Sequence, residues 1–168
     1  FSENRGTSKN RGRLINKITI SSPVLGRVVR LEDVPDEVFS NKMLGDGVAV
    51  EPMDEYVRAP ENGEVTLMFD TRHAIGFQTE TGISLLIHIG IDTVKLEGKG
   101  FESLVKVGDR VAKGTPLIRL DLEYLRKNAA SVITPVICTE LLENQEIEIA
   151  NTSDVKAGEK LFTVCHYE

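Results

Sequence analysis

Apolar and polar positions alternate from residue 83 to residue 94, just after Gly82, in a run rich in β-branched and aliphatic side chains. Such a run predicts a strand. The alternation sets Ile83, Leu85, Ile87, Ile89 and Ile91 on one face, a continuous apolar row that requires a core behind it. The other face carries Ser84, Leu86, His88, Gly90 and Asp92. A core strand therefore delivers one imidazole to a surface, with a glycine beside it and a carboxylate beyond.

The rest of the chain from Ile18 onward follows the same rhythm. Short apolar runs are separated by Gly, Pro, Asn and Asp, and sustained helical periodicity is missing. Two stretches are candidates for very short helices: residues 36–44 after Pro35, and residues 121–128 with Asp121 as the cap. Internal repetition supports a β architecture. Ser22-Pro23-Val24-Leu25-Gly26-Arg27-Val28 resembles Ala59-Pro60-Glu61-Asn62-Gly63-Glu64-Val65. Likewise Val107-Gly108-Asp109-Arg110-Val111 and Val155-Lys156-Ala157-Gly158-Glu159-Lys160-Leu161 share a glycine-centred turn leading into a strand. The pattern predicts an all-β fold, an antiparallel β-sandwich or compressed barrel with internal pseudo-repeats and one or two very short helices.

Composition narrows the functional classes. At 168 residues and 18.6 kDa the chain has the size of one domain with its own core. A net charge of −6 and a pI near 5.2 argue against general nucleic-acid binding. No charge-free stretch is long enough for a bilayer and no secretory signal is present, so a cytoplasmic protein without direct membrane insertion is expected. Residues 1–17 are polar and basic through Arg5, Lys9, Arg11, Arg13 and Lys17, and read as a flexible linker or an expression remnant. The domain proper is expected over residues 18–168, and the chain, which begins at Phe1 and not at methionine, is expected to be a cut or processed piece of a longer product. Cys138 and Cys165 are expected as reduced thiols, and without a C-x-x-C pair structural zinc is disfavoured.

Candidate chemistry centres on the histidines, of which there are only His73, His88 and His166. Alternation groups Phe69, Thr71 and His73 on one face, where the Thr71 hydroxyl is spaced to hold one ring nitrogen and fix its tautomer. If that strand neighbours the 83–94 strand, His73 and His88 face each other. An imidazole with a pKa of about 6.5 is largely neutral near pH 7 and can attack phosphorus, giving a phosphoimidazole. A second imidazole beside it can donate to the phosphoryl oxygens. The competing reading is a small zinc-dependent hydrolase, since two imidazoles and a carboxylate (His88 and Asp92 are spaced H-x-x-x-D) can hold Zn²⁺. That reading lacks an H-x-H or H-E-x-x-H pattern. A lipoyl- or biotinyl-type carrier would need a D-K-A or M-K-M stretch, which is absent, as is any G-x-x-x-x-G-K-[ST] nucleotide loop.

Several segments carry a family resemblance. They are LLIHIGIDTVKLEGKGF (residues 85–101), EDVPDEVF (32–39), NKMLGDGVAV (41–50), the A-P-x-x-G-x-V of 59–65, TRHAIGFQTETG (71–82), GDRVAKG (108–114) and TPV (134–136). In this order they resemble the glucose-type Enzyme IIA domains of the bacterial phosphoenolpyruvate-dependent sugar phosphotransferase system, over nearly everything from Ile18 to the C-terminus. The resemblance implies a phosphotransferase component acting through a phosphohistidine intermediate. His88 would accept the phosphoryl group from the phosphocarrier protein HPr and pass it to a cysteine of a IIB domain. His73 would steady that group and Thr71 would orient His73. Asp36 and Asp92 would flank the site, and Val38, Phe39, Met43, Leu44, Phe69, Leu86 and Val94 would form an apolar rim for docking partners. Leu86 departs from the phenylalanine common at its position.

Each of these residues also has a plainer reading. Phe39, Phe69 and Val94 fit a core, and Asp36 and Asp92 fit turns or caps. The resemblance implies no cofactor and no resident metal, although His73 and His88 could bind zinc adventitiously. It leaves open the sugar, the regulatory targets, and whether the domain is free or tethered to a membrane-embedded IIBC permease.

Overall fold

The computed structural model describes residues 12–168. Most of the expected linker, residues 1–11, lies outside the described residues. Strand pairing begins at Leu14, earlier than the boundary expected at Ile18. In chain order the strands are β1 (Leu14–Ser21), β2 (Gly26–Arg30), β3 (Asp46–Pro52), β4 (Tyr56–Arg58), β5 (Gly63–Met68), β6 (Ala74–Thr79) and β7 (Ser84–His88). They continue with β8 (Phe101–Ser103), β9 (Arg110–Val111), β10 (Pro116–Leu120), β11 (Thr134–Cys138), β12 (Gln145–Ile149), β13 (Asp154–Val155) and β14 (Lys160–Tyr167).

All named pairings are antiparallel. One large sheet runs β13-β2-β3-β11-β7-β6-β5-β9, and two smaller sheets run β1-β14-β12 and β4-β10-β8. The arrangement is sandwich-like and does not close into a barrel. Both short helices form, the first ending at Ser40 and so shorter than the expected 36–44, the second over nearly all of the expected 121–128. In α1 (Glu37–Ser40) the Asp36 carboxylate accepts from the Val38 N–H, and in α2 (Leu122–Asn128) the Asp121 carboxylate accepts from the Tyr124 N–H.

The inner face of the large sheet follows the alternation. Ile75 pairs with Ile87 and Phe77 with Leu85, and all four are buried. They join Ile20, Leu117, Phe162 and Val164 in the main core, where each fully buried side chain contributes about 1.5–3 kcal/mol relative to exposure. A second, smaller cluster lies on the outer face, where Val29, Ala49, Ile137 and Ile91 are roofed by Leu31, Val34 and Phe39 from the segment that holds α1. Cys138 and Cys165 are buried and free. Burial pushes the Cys138 thiol up to about 12, so it behaves as an apolar filler.

The internal repetition is real, and its second half is displaced from the expected register. Gly63 pairs with Val111, and Gly26 pairs with Val155. Gly114 N–H donates to Ala59 C=O and Ala59 N–H to Thr115 C=O. In the same way Gly158 N–H donates to Ser22 C=O and Ser22 N–H to Glu159 C=O. Residues 155–161 therefore correspond in position to 111–117, V-x-x-G-x-x-L in both, with Gly114 and Gly158 at φ +90° and +91°. The turn at Gly108 shares only local chemistry with that at Gly158. Lys106 N–H donates to the Asp109 carboxylate as Lys156 N–H donates to the Glu159 carboxylate.

Candidate active site

Strand β7 ends at His88, not at residue 94. Gly90 (φ +77°) and Asp92 (φ +58°) take left-handed conformations, and a single 3-10 turn follows over Thr93–Leu96. The predicted apolar row is nonetheless buried from Ile83 to Ile91. The bend changes only its destination: Ile83 to Ile89 enter the main core, while Ile91 enters the outer cluster.

The large sheet brings the two histidines together by a different route from the one expected. Ala74, not His73, lies opposite His88 in the β6–β7 register. Continued alternation would have sent His73 to the inner face. Instead residues 69–73 form a turn in which Arg72 N–H donates to Phe69 C=O and Arg72 sits at φ +57°. The His73 carbonyl accepts from Ile89 N–H at 2.7 Å, which ties the turn to the end of β7. The turn keeps Phe69, Thr71 and His73 together. The Thr71 hydroxyl is 2.6 Å from His73 Nδ1, and the Phe69 ring centroid is 5.1 Å from that of His73. His73 and His88 meet edge to face, centroids 5.0 Å apart and planes at 80°.

His88 Nδ1 lies 2.8 Å from the Gly90 carbonyl oxygen. A carbonyl oxygen only accepts, so Nδ1 carries the proton and, in the neutral ring, Nε2 keeps its lone pair. Burial lowers the His88 pKa, opposed by the Gly90 carbonyl, Asp36, its own backbone and Asp92. Burial, together with the like charge of His88, pushes His73 down to about 4. Both rings are thus held toward the neutral form near pH 7.

The rim residues divide. Val38, Met43, Leu44, Phe69 and Val94 are exposed, Met43 the most at 69%. Leu86 is half-buried against the outer cluster. Phe39 is buried at 5% exposure, with its ring 4.9 Å from that of His88, so it forms the floor of the site and not its rim. The reason is local: helix α1 turns Phe39 inward onto Val34 and Ile91 while Val38 faces out. Asp36 is half-buried and caps α1, and Asp92 is exposed with Lys95 Nζ 4.0 Å away.

Leu67 was missed by sequence reasoning. A β-bulge between Val65 and Leu67 turns Leu67 to the outer face opposite Gly76, with Gly76 between it and Leu86, and it is 47% exposed. Simple alternation places it in the core with Val65, so no signal of period two could find it. Gly90, as the acceptor for His88, was also missed. Among the described residues no group of three or more His, Cys, Asp or Glu side chains is placed to hold a metal ion. His166, on β14, lies beside Asn144 and Gln145. The zinc-hydrolase reading has no support.

Residues 18–147 match the profile of the family described as phosphoenolpyruvate-dependent sugar phosphotransferase system, EIIA 1. The chain belongs to this family. Among curated proteins, the chain is 46% identical over 145 residues to a PTS system glucose-specific EIICBA component of Staphylococcus carnosus. It is 48% identical over 145 residues to a glucoside-specific EIICBA component of the same organism. Each match covers 86% of this chain and 21% of the relative, so the chain spans about a fifth of their length. Among solved structures, glucose permease IIA from Mycoplasma capricolum superposes with a TM-score of 0.82 at 37% identity, covering 89% of this chain and 96% of that one. The chain is accordingly a phosphocarrier domain of the IIA type, a phosphotransferase component. No helix among the described residues is long and apolar enough to cross a membrane.

Proposed function

We propose that His88 accepts a phosphoryl group from phosphorylated HPr and passes it to a cysteine of a IIB domain, and that His73, oriented by Thr71, steadies the group in transit. The observation that carries this reading is the 2.8 Å contact between His88 Nδ1 and the Gly90 carbonyl, with a second neutral imidazole at 5.0 Å. The Nε2 lone pair attacks phosphorus as the donor's P–N bond breaks, and the Nδ1 proton stays in place. The ring's positive charge then offsets charge on the phosphoryl oxygens. When the IIB thiolate attacks, the Nε2–P bond breaks and its electron pair returns to a ring that leaves as neutral imidazole, a far better leaving group than imidazolate. With His73 Nδ1 accepting from the Thr71 hydroxyl, its Nε2 carries a proton available to the phosphoryl oxygens.

The exposed side chains Val38, Met43, Leu44, Leu67, Phe69 and Val94 supply an apolar docking surface around this centre, with Asp36 and Asp92 contributing negative charge. The EIICBA names of the relatives support a domain joined to IIB and membrane-embedded IIC units. The test combines phosphoenolpyruvate, Enzyme I, HPr and this domain, read by intact mass and then by acid treatment. One acid-labile phosphoryl group, absent in His88→Gln, is the expected result. No label beside a working HPr control sinks the assignment.

A further inference from the structure

Thr93 belongs to no site assigned so far, yet it is 1% exposed and its hydroxyl is spent on a backbone carbonyl next to the reacting histidine. Thr93 Oγ1 donates to the Ile89 carbonyl at 2.5 Å. A Cβ added at Gly90 would stand 2.5 Å from Thr93 Cγ2 and 2.8 Å from the Ser131 carbonyl, so the two faces of Thr93 hold two successive residues. The hydroxyl holds the carbonyl of Ile89 and the methyl packs on the α-carbon of Gly90. The Gly90 carbonyl is the acceptor for His88 Nδ1, and the Ile89 N–H donates to the His73 carbonyl. On the far side of Gly90, Ile91 N–H donates to the Ser131 carbonyl at 2.9 Å. The 89–91 segment is thus clamped by Thr93 and Ser131 while touching both histidines.

We propose that Thr93 is a positioning residue for His88. Its side chain fixes the left-handed turn at Gly90, so that the Gly90 carbonyl points at Nδ1 and the ring is kept in the tautomer whose Nε2 can attack phosphorus. The inference rests on the reading of His88 as the phosphoryl acceptor and adds to it the device that sets its proton. The physical step is short. A free imidazole exchanges its proton between both nitrogens, and only an aimed acceptor at one nitrogen biases that exchange. Losing the Thr93 hydroxyl leaves the Ile89 carbonyl buried without this donor and frees the turn to reorient.

Thr93→Val keeps shape and methyl and removes the hydroxyl, while Thr93→Ser keeps the hydroxyl. The tautomer of His88 is read from ¹⁵N chemical shifts of the ring, and the rate from phosphorylated HPr is read by rapid quench. Wild-type His88 is expected as Nδ1–H. Thr93→Val is expected to move it toward a mixture of tautomers and to slow acceptance about tenfold, while Thr93→Ser stays within about twofold of wild type. A Thr93→Val protein with unchanged tautomer and rate overturns the proposal, and so does one that merely melts earlier with both unchanged. If Thr93→Val does not fold, a wild-type ring found as Nε2–H overturns it without any variant. If Thr93→Val shifts the His88 tautomer while the wild-type domain takes no label from HPr, the phosphoryl-acceptor reading is overturned and the positioning of the ring stands.

Discussion

The two imidazoles of the site are supported in opposite ways. His88 closes a regular strand and is held by a main-chain carbonyl, whereas His73 sits in an irregular turn and is held by a side-chain hydroxyl. A carbonyl permits one role only, so the proton on His88 has a fixed place. A hydroxyl both donates and accepts, so the Thr71–His73 contact survives reversal of its proton. A nucleophile benefits from the first kind of support because one nitrogen must always be bare. A group that meets the phosphoryl oxygens during arrival and departure benefits from the second.

The largest effect that sharpens this contrast is expected from loss of the proposed nucleophile. His88→Gln is expected to abolish labelling from HPr, and persistent labelling would transfer the acceptor role elsewhere. His73→Gln should still accept the group but deliver it to IIB about a hundredfold more slowly, since only stabilisation of the transferring charge is gone. Delivery at the normal rate in a single-turnover assay would erase the distinction between the two rings.

Phe39→Ala and Met43→Ala separate floor from rim. Truncating buried Phe39 should cost about 3–5 kcal/mol of stability. Exposed Met43 should cost no more than about 0.5 kcal/mol, with its loss seen as a few-fold weaker HPr titration. Equal melting temperatures for the two variants would contradict that division.

The last effect is read from the pH dependence of stability. Folding lowers the pKa of His73 from 6.5 to about 4. As pH falls through that window the unfolded chain takes up a proton before the folded one, so stability declines from about pH 6.5 toward about pH 4 and is level above it. Melting at about pH 7.5 and about pH 5 should show a smaller difference for His73→Gln than for wild type. An unchanged difference would mean that the buried ring is not the group responsible.

Much of this was legible in the chain because local and global preferences agree there. The apolar row from Ile83 to Ile91, the caps Asp36 and Asp121, and the histidine pair with Thr71 all follow from period, cap chemistry or motif. What escaped depends on breaks in the period. The bulge before Leu67 reverses its face, and the left-handed residues Arg72 and Gly90 redirect His73 and end β7 early. Phe39 was placed on the rim by the resemblance, and a helix of four residues is too short for its periodicity to have shown that Phe39 faces inward. The turn at Gly158 was matched to that at Gly108 because both are glycine-centred and lead into a strand, whereas strand pairing selects Gly114.

The outer cluster has a consequence for motion. Val34, Phe39 and Ile91 belong to a group of seven buried residues that is separate from the main core, so the segment carrying α1 rests on that small cluster, on the contact of the Phe39 ring with His88, and on the ion pairs of Lys42 with Glu32 and Asp46. Regions with so few buried partners open at a lower free energy than the globule as a whole. Amides near α1 should therefore exchange with deuterated solvent well before those of β6, β7 and β11, and a partner seated on Met43 and Val94 should slow exchange of the former and not the latter. Uniform exchange across both would mean that the flap and the sandwich open as one unit. If the flap opens alone, part of the docking energy goes into quieting it, and an encounter that must also end quickly is kept weak by the mobility of its own landing surface.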